Sequence, residues 1–102
     1  MYMDLKMTSN GNKATVELEG RIDAKTSPEL ERALLALPSE IKALDLDLTN
    51  VIYISSAGLR MMITVHQHFN DKGGSMTIVG ARDELIEIFE VTGFSEFLSI
   101  KY

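Results

Sequence analysis

Residues 44–63 read LDLDLTNVIYISSAGLRMMI. Leu44, Leu46 and Leu48 alternate with Asp45 and Asp47, the period of two that marks a strand with one apolar face. Residues 51–54, VIYI, form an apolar approach to Ser55 and Ser56. From Ala57 to about Lys72 the period changes: Leu59, Met62, Ile63, His66 and Phe69 recur at helical spacing on one face. A strand therefore feeds a helix through two adjacent serines. In parallel sheets, function gathers at the carboxyl ends of strands, and a helix start there offers free backbone N–H groups and the positive end of a dipole. Such a junction can hold an anion. Either serine can equally be an ordinary helix N-cap.

Outward from this stretch, the preceding chain alternates twice. In MYMDLKM (residues 1–7), Met3, Leu5 and Met7 share one face, the pattern of a half-buried strand. SNGN (9–12) is a hairpin turn, because Asn and Gly tolerate positive φ. In ATVELEG (14–20), Ala14, Val16 and Leu18 face one way and Gly20 closes the strand. RIDAK (21–25) reads as a loop. Thr26 or Ser27 then caps a helix with Pro28 just inside, Glu29 and Glu31 in its first turn, and Leu30, Ala33, Leu34 and Leu37 as its apolar stripe; Pro38 stops it. IKALDLDL (41–48) is the third strand.

After the central helix, Gly73 and Gly74 supply a left-handed end. SMTIVG (75–80) is a fourth strand. RDELIEIFEVTG (82–93) is a third helix with Leu85, Ile88 and Phe89 inward and Gly93 as its cap, and FLSI (97–100) is a last short strand. The order β-β-α-β-α-β-α-β makes an α/β fold: a mixed sheet with crossover helices packed against it.

The chain has 102 residues, the size of one domain, and 45% of them are hydrophobic, enough for a real core. Its formal charge of −5 argues against a nucleic-acid binder, which needs a basic face. It has no cysteine, hence no disulfide framework and no thiolate metal site. No apolar run approaches the roughly 20 residues of a membrane span. No basic region followed by an apolar core opens the chain, so no signal peptide is expected. The expectation is a soluble, acidic, cytoplasmic protein without membrane insertion.

A catalytic serine needs a base. The two histidines are His66 and His68; His66 lies about three turns from Ser56 along the helix, beyond hydrogen-bond reach. No G-x-S-x-G elbow and no Walker loop is present. His66 and His68 fall on different helix faces and make a poor metal pair. Asp45 and Asp47 point the same way and form a carboxylate pair, a cation site for which no third ligand lies nearby, or two solvated, hydrogen-bonded acids. No catalytic residue, cofactor or metal is expected. Met61, measured from the centre of the apolar stripe, points outward beside Arg60, a pairing that suits an interface.

The sequence resembles the bacterial anti-sigma-factor antagonists, which are single STAS domains. LEGRIDAKTSPEL (18–30) resembles the family's strand, acidic loop and first helix. LDLDLTNVIYISSAGLRMMI resembles its signature: a strand ending in an acid and leucine, a turn, an apolar pair, then the phosphoacceptor serine and Gly-Leu. IFEVTGFSEFLSI (88–100) resembles its third helix and final strand. The resemblance implies one STAS domain over residues 1–102 and a partner switch in place of catalysis. In that switch, the unmodified antagonist binds an anti-sigma factor that is also an ATP-using serine kinase, and this frees a sigma factor. The kinase phosphorylates the antagonist and ends the interaction; a PP2C-type phosphatase removes the phosphate.

Aligned on the motif, Ser56 is the phosphoacceptor. Ser55 stands where many members carry aspartate, and Asp23 matches an acid near the partner surface. With Arg60 and Met61 added from their helix position, the expected partner-binding set is Asp23, Ser55, Gly58, Leu59, Arg60 and Met61. The chain stops at IKY, where members often continue into a further helix. The alternative is a constitutive STAS interaction module of a transporter or stress-signalling complex, with Ser56 serving as a helix cap.

Overall fold

The computed structural model describes residues 3–102. Its elements are β1 (Met3–Asn10), β2 (Lys13–Ile22), α1 (Ser27–Leu35), β3 (Ala43–Ile54), α2 (Ser56–Asp71), β4 (Ser75–Val79), α3 (Asp83–Val91), a 3-10 turn (Phe94–Glu96) and β5 (Ser99–Ile100). The element order matches the sequence reading.

The five strands form one sheet in the order β1-β2-β3-β4-β5. β1 and β2 are antiparallel and their ladder closes at Asn10 opposite Lys13, leaving Gly11 and Asn12 as a two-residue turn. Gly11 has φ of +65°, the value that such a turn demands of its first central residue. All other neighbours are parallel. Each parallel step therefore needs a crossover, and a right-handed crossover repeated in one direction puts α1 and α2 on the same face.

The burial pattern follows from this layering. Ala14, Val16 and Leu18 of β2, Leu44, Leu46 and Leu48 of β3, and Met76 and Ile78 of β4 are buried. Leu30 and Leu34 of α1, Met62, Val65 and Phe69 of α2, and Leu85 and Phe89 of α3 complete a single core. Fully burying one such side chain stabilises by about 1.5–3 kcal/mol, which offsets the entropy of ordering it. The alternate residues Thr15, Asp45, Asp47 and Thr77 line the opposite, uncovered face. This explains two aspartates in a central strand. They do not form a carboxylate pair: Lys13 Nζ sits 3.1 Å from Asp45, while Asp47 accepts from the backbone and hydroxyl of Thr49 at 2.9 and 2.6 Å.

Several local readings are corrected. Gly20 does not end the second strand, which runs on through Arg21 and Ile22 of the expected loop. The face of β1 that carries Leu5 and Met7 is not covered by the core: β1 is an edge strand beyond the helical cover, and the two are 42% and 46% exposed. In the first helix Ala33 is exposed and Leu37 lies past the helix end at Leu35.

Candidate functional site

The junction between β3 and α2 is built by a break in the strand's own period. Pairing with β2 runs Gly20 to Val51, then Arg21 to Tyr53, so Ile52 is an extra residue. A second extra residue lies between Asp47 and Asn50, opposite Glu17 and Glu19. Bulges of this kind re-aim side chains. Val51 and Ile54 enter the core, whereas Ile52 and Tyr53 turn outward, 55% and 38% exposed. The Arg21 guanidinium lies 4.2 Å from the Tyr53 ring centroid and holds it against the sheet end. Alternation alone could not reveal this exposed apolar pair, because the inserted residue shifts the period.

Ser55 ties the junction together. Its N–H donates to the Ile22 carbonyl at 2.8 Å, and its own carbonyl accepts the first α2 bond from Leu59 at 3.0 Å. Its backbone is extended and its hydroxyl accepts from Gly58 N–H at 3.3 Å, so Ser55 is the N-cap. Ser56 is the first helical residue and is exposed, and its hydroxyl has no hydrogen-bond partner among the described residues. The reading in which Ser56 caps the helix is thereby overturned: the neighbouring serine holds that place.

Gly58 lets the helix start sit directly on the sheet. A Cβ there would lie 2.7 Å from Ile22 Cγ2 and 2.8 Å from Ile54 Cγ1. Leu59 is 5% exposed and Met61 is 3% exposed. The outward direction expected for Met61 is therefore wrong. α2 is wedged between the sheet and α1 and buries a wider arc than a one-sided helix does, and Met61 falls on the α1 side of that arc. Gly58, Leu59 and Met61 are nearly covered and support the site from beneath. Arg60 is exposed. It borders an open groove of about 280 Å³ between the starts of α1 and α2, lined also by Ala24, Pro28, Thr64 and the edge of Met61.

The acidic loop forms the other wall. The Asp23 carboxylate accepts from the N–H of Lys25 at 3.0 Å and of Thr26 at 3.1 Å. The Thr26 hydroxyl accepts from Asp23 N–H and donates to the Arg21 carbonyl, both at 2.9 Å. Ser27 donates through its hydroxyl to the Asp23 carbonyl at 2.6 Å. Thr26 and Ser27 are buried by this work, so a loop of small polar residues is fixed without apolar packing. The Thr26 N–H bond above all holds the Asp23 carboxyl below its usual range, against the opposing effect of desolvation. Thr26 stands at the α1 N-cap without making a side-chain cap bond, because its hydroxyl is committed to this loop.

The structure thus brings together an exposed free serine hydroxyl, an exposed arginine one turn on, and a wired loop with a carboxylate. Both histidines lie farther along α2, and His66 is partly buried as its helix position suggested.

The protein-family model described as "Mlab, STAS domain" matches residues 5–99. The chain is 34% identical over 83 residues to the anti-sigma-B factor antagonist of Listeria monocytogenes, covering 80% of this chain and 73% of that protein. It is 27% identical over 100 residues to the anti-sigma-B factor antagonist of Bacillus subtilis, covering 98% of this chain and 92% of that one. Among solved structures, an anti-sigma factor antagonist from Mycobacterium paratuberculosis has the same fold, with a TM-score of 0.83 at 21% identity over 96% of this chain and 84% of the other. The family match, the relatives and the strand-to-helix junction carry one conclusion: the chain belongs to the STAS domain family, among its anti-sigma factor antagonists.

Proposed function

We propose that this chain is a cytoplasmic, non-catalytic antagonist whose docking on an anti-sigma factor is gated by phosphorylation of Ser56. The observation that carries the reading is the division of labour between the serines. Ser55 spends its hydroxyl on the Gly58 N–H, and Ser56 keeps an exposed hydroxyl with no partner among the described residues. A modifying enzyme can reach Ser56 without dismantling a cap.

With Ser56 unmodified, the docking surface comprises Asp23 of the loop, Ser55 and Ser56 at the helix start, Arg60, and the exposed Ile52 and Tyr53. The partner is an anti-sigma factor that is also a serine kinase, and its capture frees a sigma factor. In the covalent step the Ser56 oxygen takes the γ-phosphoryl group of ATP, the hydroxyl proton leaves and ADP departs. A PP2C-type phosphatase hydrolyses the ester and restores docking.

The phosphate adds about −1.5 to −2 charges. At the first position of α2 the helix itself accommodates this charge, since its dipole is positive there and its first turn holds no acid. The cost falls on the interface, where a charged group must be desolvated against the partner. A loss of about 3–4 kcal/mol weakens binding several hundredfold.

The test is incubation of the chain, and of its Ser55→Ala and Ser56→Ala forms, with the anti-sigma kinase of the source organism and ATP, read by peptide mass spectrometry. The wild type and Ser55→Ala gain one phosphate on Ser56, and Ser56→Ala gains none. Phosphate on Ser55, or on Ser56→Ala, overturns the assignment.

A further inference from the structure

The outer edge of β1 carries the information for pairing with a second copy of itself. We propose that the chain forms a two-fold symmetric dimer in which two β1 strands run antiparallel about Leu5, joining both sheets into one.

β1 is an edge strand, and every residue from Asp4 to Asn10 is exposed. Its ladder with β2 closes on the two-residue turn at Asn10 opposite Lys13. The closing pair of such a hairpin is hydrogen-bonded, and bonded and non-bonded pairs alternate from there. The even-numbered residues therefore turn their N–H and C=O groups to β2. Those of Met3, Leu5, Met7 and Ser9 point outward, away from the sheet. An unpaired edge of this kind is a template for another strand.

The sequence of that edge, Met3-Asp4-Leu5-Lys6-Met7, complements itself when reversed. With a two-fold axis at Leu5, Leu5 exchanges both backbone bonds with Leu5 of the second copy. Met7 does so with the second copy's Met3. Asp4 then lies directly opposite Lys6 of the second copy, and Lys6 opposite its Asp4, at the closer non-bonded spacing where opposite charges stabilise. The isologous contact needs this palindrome, because residue i meets j and j meets i. Centring on Asp4 or Lys6 would set like charges face to face and would use residues whose backbone groups are already turned inward. Centring on Met7 would set Leu5 against Ser9.

Three further observations favour a second copy as the occupant. Within one chain Asp4 stands opposite Glu19, a like-charge neighbour, and neither Asp4 nor Lys6 is in an ion pair among the described residues. The second copy supplies Asp4 with a cation on its open side. Although the chain carries −5, β1 itself holds one acid and one base, with Glu17 of β2 opposite Lys6. On the opposite side of the ladder, Leu5 and Met7 share a face with Leu18 and Val16 and are 42% and 46% exposed. Pairing would bring two such apolar patches together. Ser55 and Ser56 lie two strands in from this edge, so each copy keeps its own docking site.

Sedimentation equilibrium of the full chain from micromolar to millimolar concentration tests the proposal. The expected result is a reversible monomer–dimer equilibrium. Asp4→Lys and Lys6→Asp each raise the dissociation constant by about tenfold, since each places two like pairs in the dimer, and the double exchange restores it. Amide exchange supplies a second reading that needs no variant: protection of Leu5 and Met7 rises with protein concentration, while that of Asp4 and Lys6 does not. A chain that stays monomeric throughout overturns the proposal. So does a dimer whose affinity ignores all three variants, or one that leaves Leu5 and Met7 unprotected.

Discussion

Two serines that look interchangeable in sequence have different physical situations. Ser55 closes the first turn of α2 and Ser56 faces solvent. Ser55→Ala should cost about 1 kcal/mol, the usual worth of an N-cap, and Ser56→Ala should stay within about 0.5 kcal/mol of wild type; urea denaturation of both checks this. Ser56→Asp should stabilise the free chain by about 0.3–1 kcal/mol, because α2 has no acid in its first turn to oppose the dipole. Asp23 makes a pH prediction. Its carboxyl is held below the usual aspartate range, chiefly by the Thr26 N–H. A group depressed on folding contributes stability that is fully present above its unfolded value and is lost as pH falls through the folded value. The wild type should therefore lose stability in acid below about pH 4, and Asp23→Asn should flatten that limb while leaving the slope near neutrality unchanged. The choice of Ser56 as the acceptor rested on the resemblance, since residue chemistry alone left the two hydroxyls equal; the cap geometry that separates them depends on the φ and ψ of Ser55, which no residue pattern specifies.

At the scale of elements, α2 shows what periodicity can and cannot reveal. Leu59, Met62 and Phe69 were legible as a buried stripe because the sheet covers that face. Met61 was misread because α1 covers the flank as well, and a helix buried on two sides loses the contrast on which the pattern depends. Met61→Ala should accordingly cost about 2–5 kcal/mol, as a buried truncation does, with thermal unfolding as the readout. Gly58→Ala should cost about 1–3 kcal/mol through overpacking against Ile22 and Ile54. A surface role for either residue would leave stability nearly unchanged. β3 makes the complementary point. Leu44, Leu46 and Leu48 announced one face by strict alternation, but the extra residues near Asn50 and at Ile52 reset the phase. Ile52 and Tyr53 could be read as apolar but not as exposed. The loop at Asp23 was legible as a turn, whereas its wiring through Thr26 was not, because one threonine hydroxyl serves two backbone partners distant from any helix cap role.

The whole molecule separates stability from signalling. The sheet and the three helices share one core, and Ser56 stands outside it on the first turn of a helix that the core holds rigidly. Element order and a mixed sheet with crossover helices were readable from the alternation of periods, which is why the fold class followed from sequence. The exposure of β1 was not, since a strand's edge position depends on which neighbours the topology gives it. A rigid core and an exposed acceptor mean that phosphate should act on binding without acting on the fold. The most direct measurement is isothermal titration of the cognate anti-sigma kinase with the unmodified chain and with the chain phosphorylated on Ser56, circular dichroism and thermal unfolding being recorded for both. The expected result is indistinguishable spectra, a melting temperature at least as high for the phosphorylated chain, and a dissociation constant several hundredfold larger. Equal affinity of the two forms, with both folded, would contradict it.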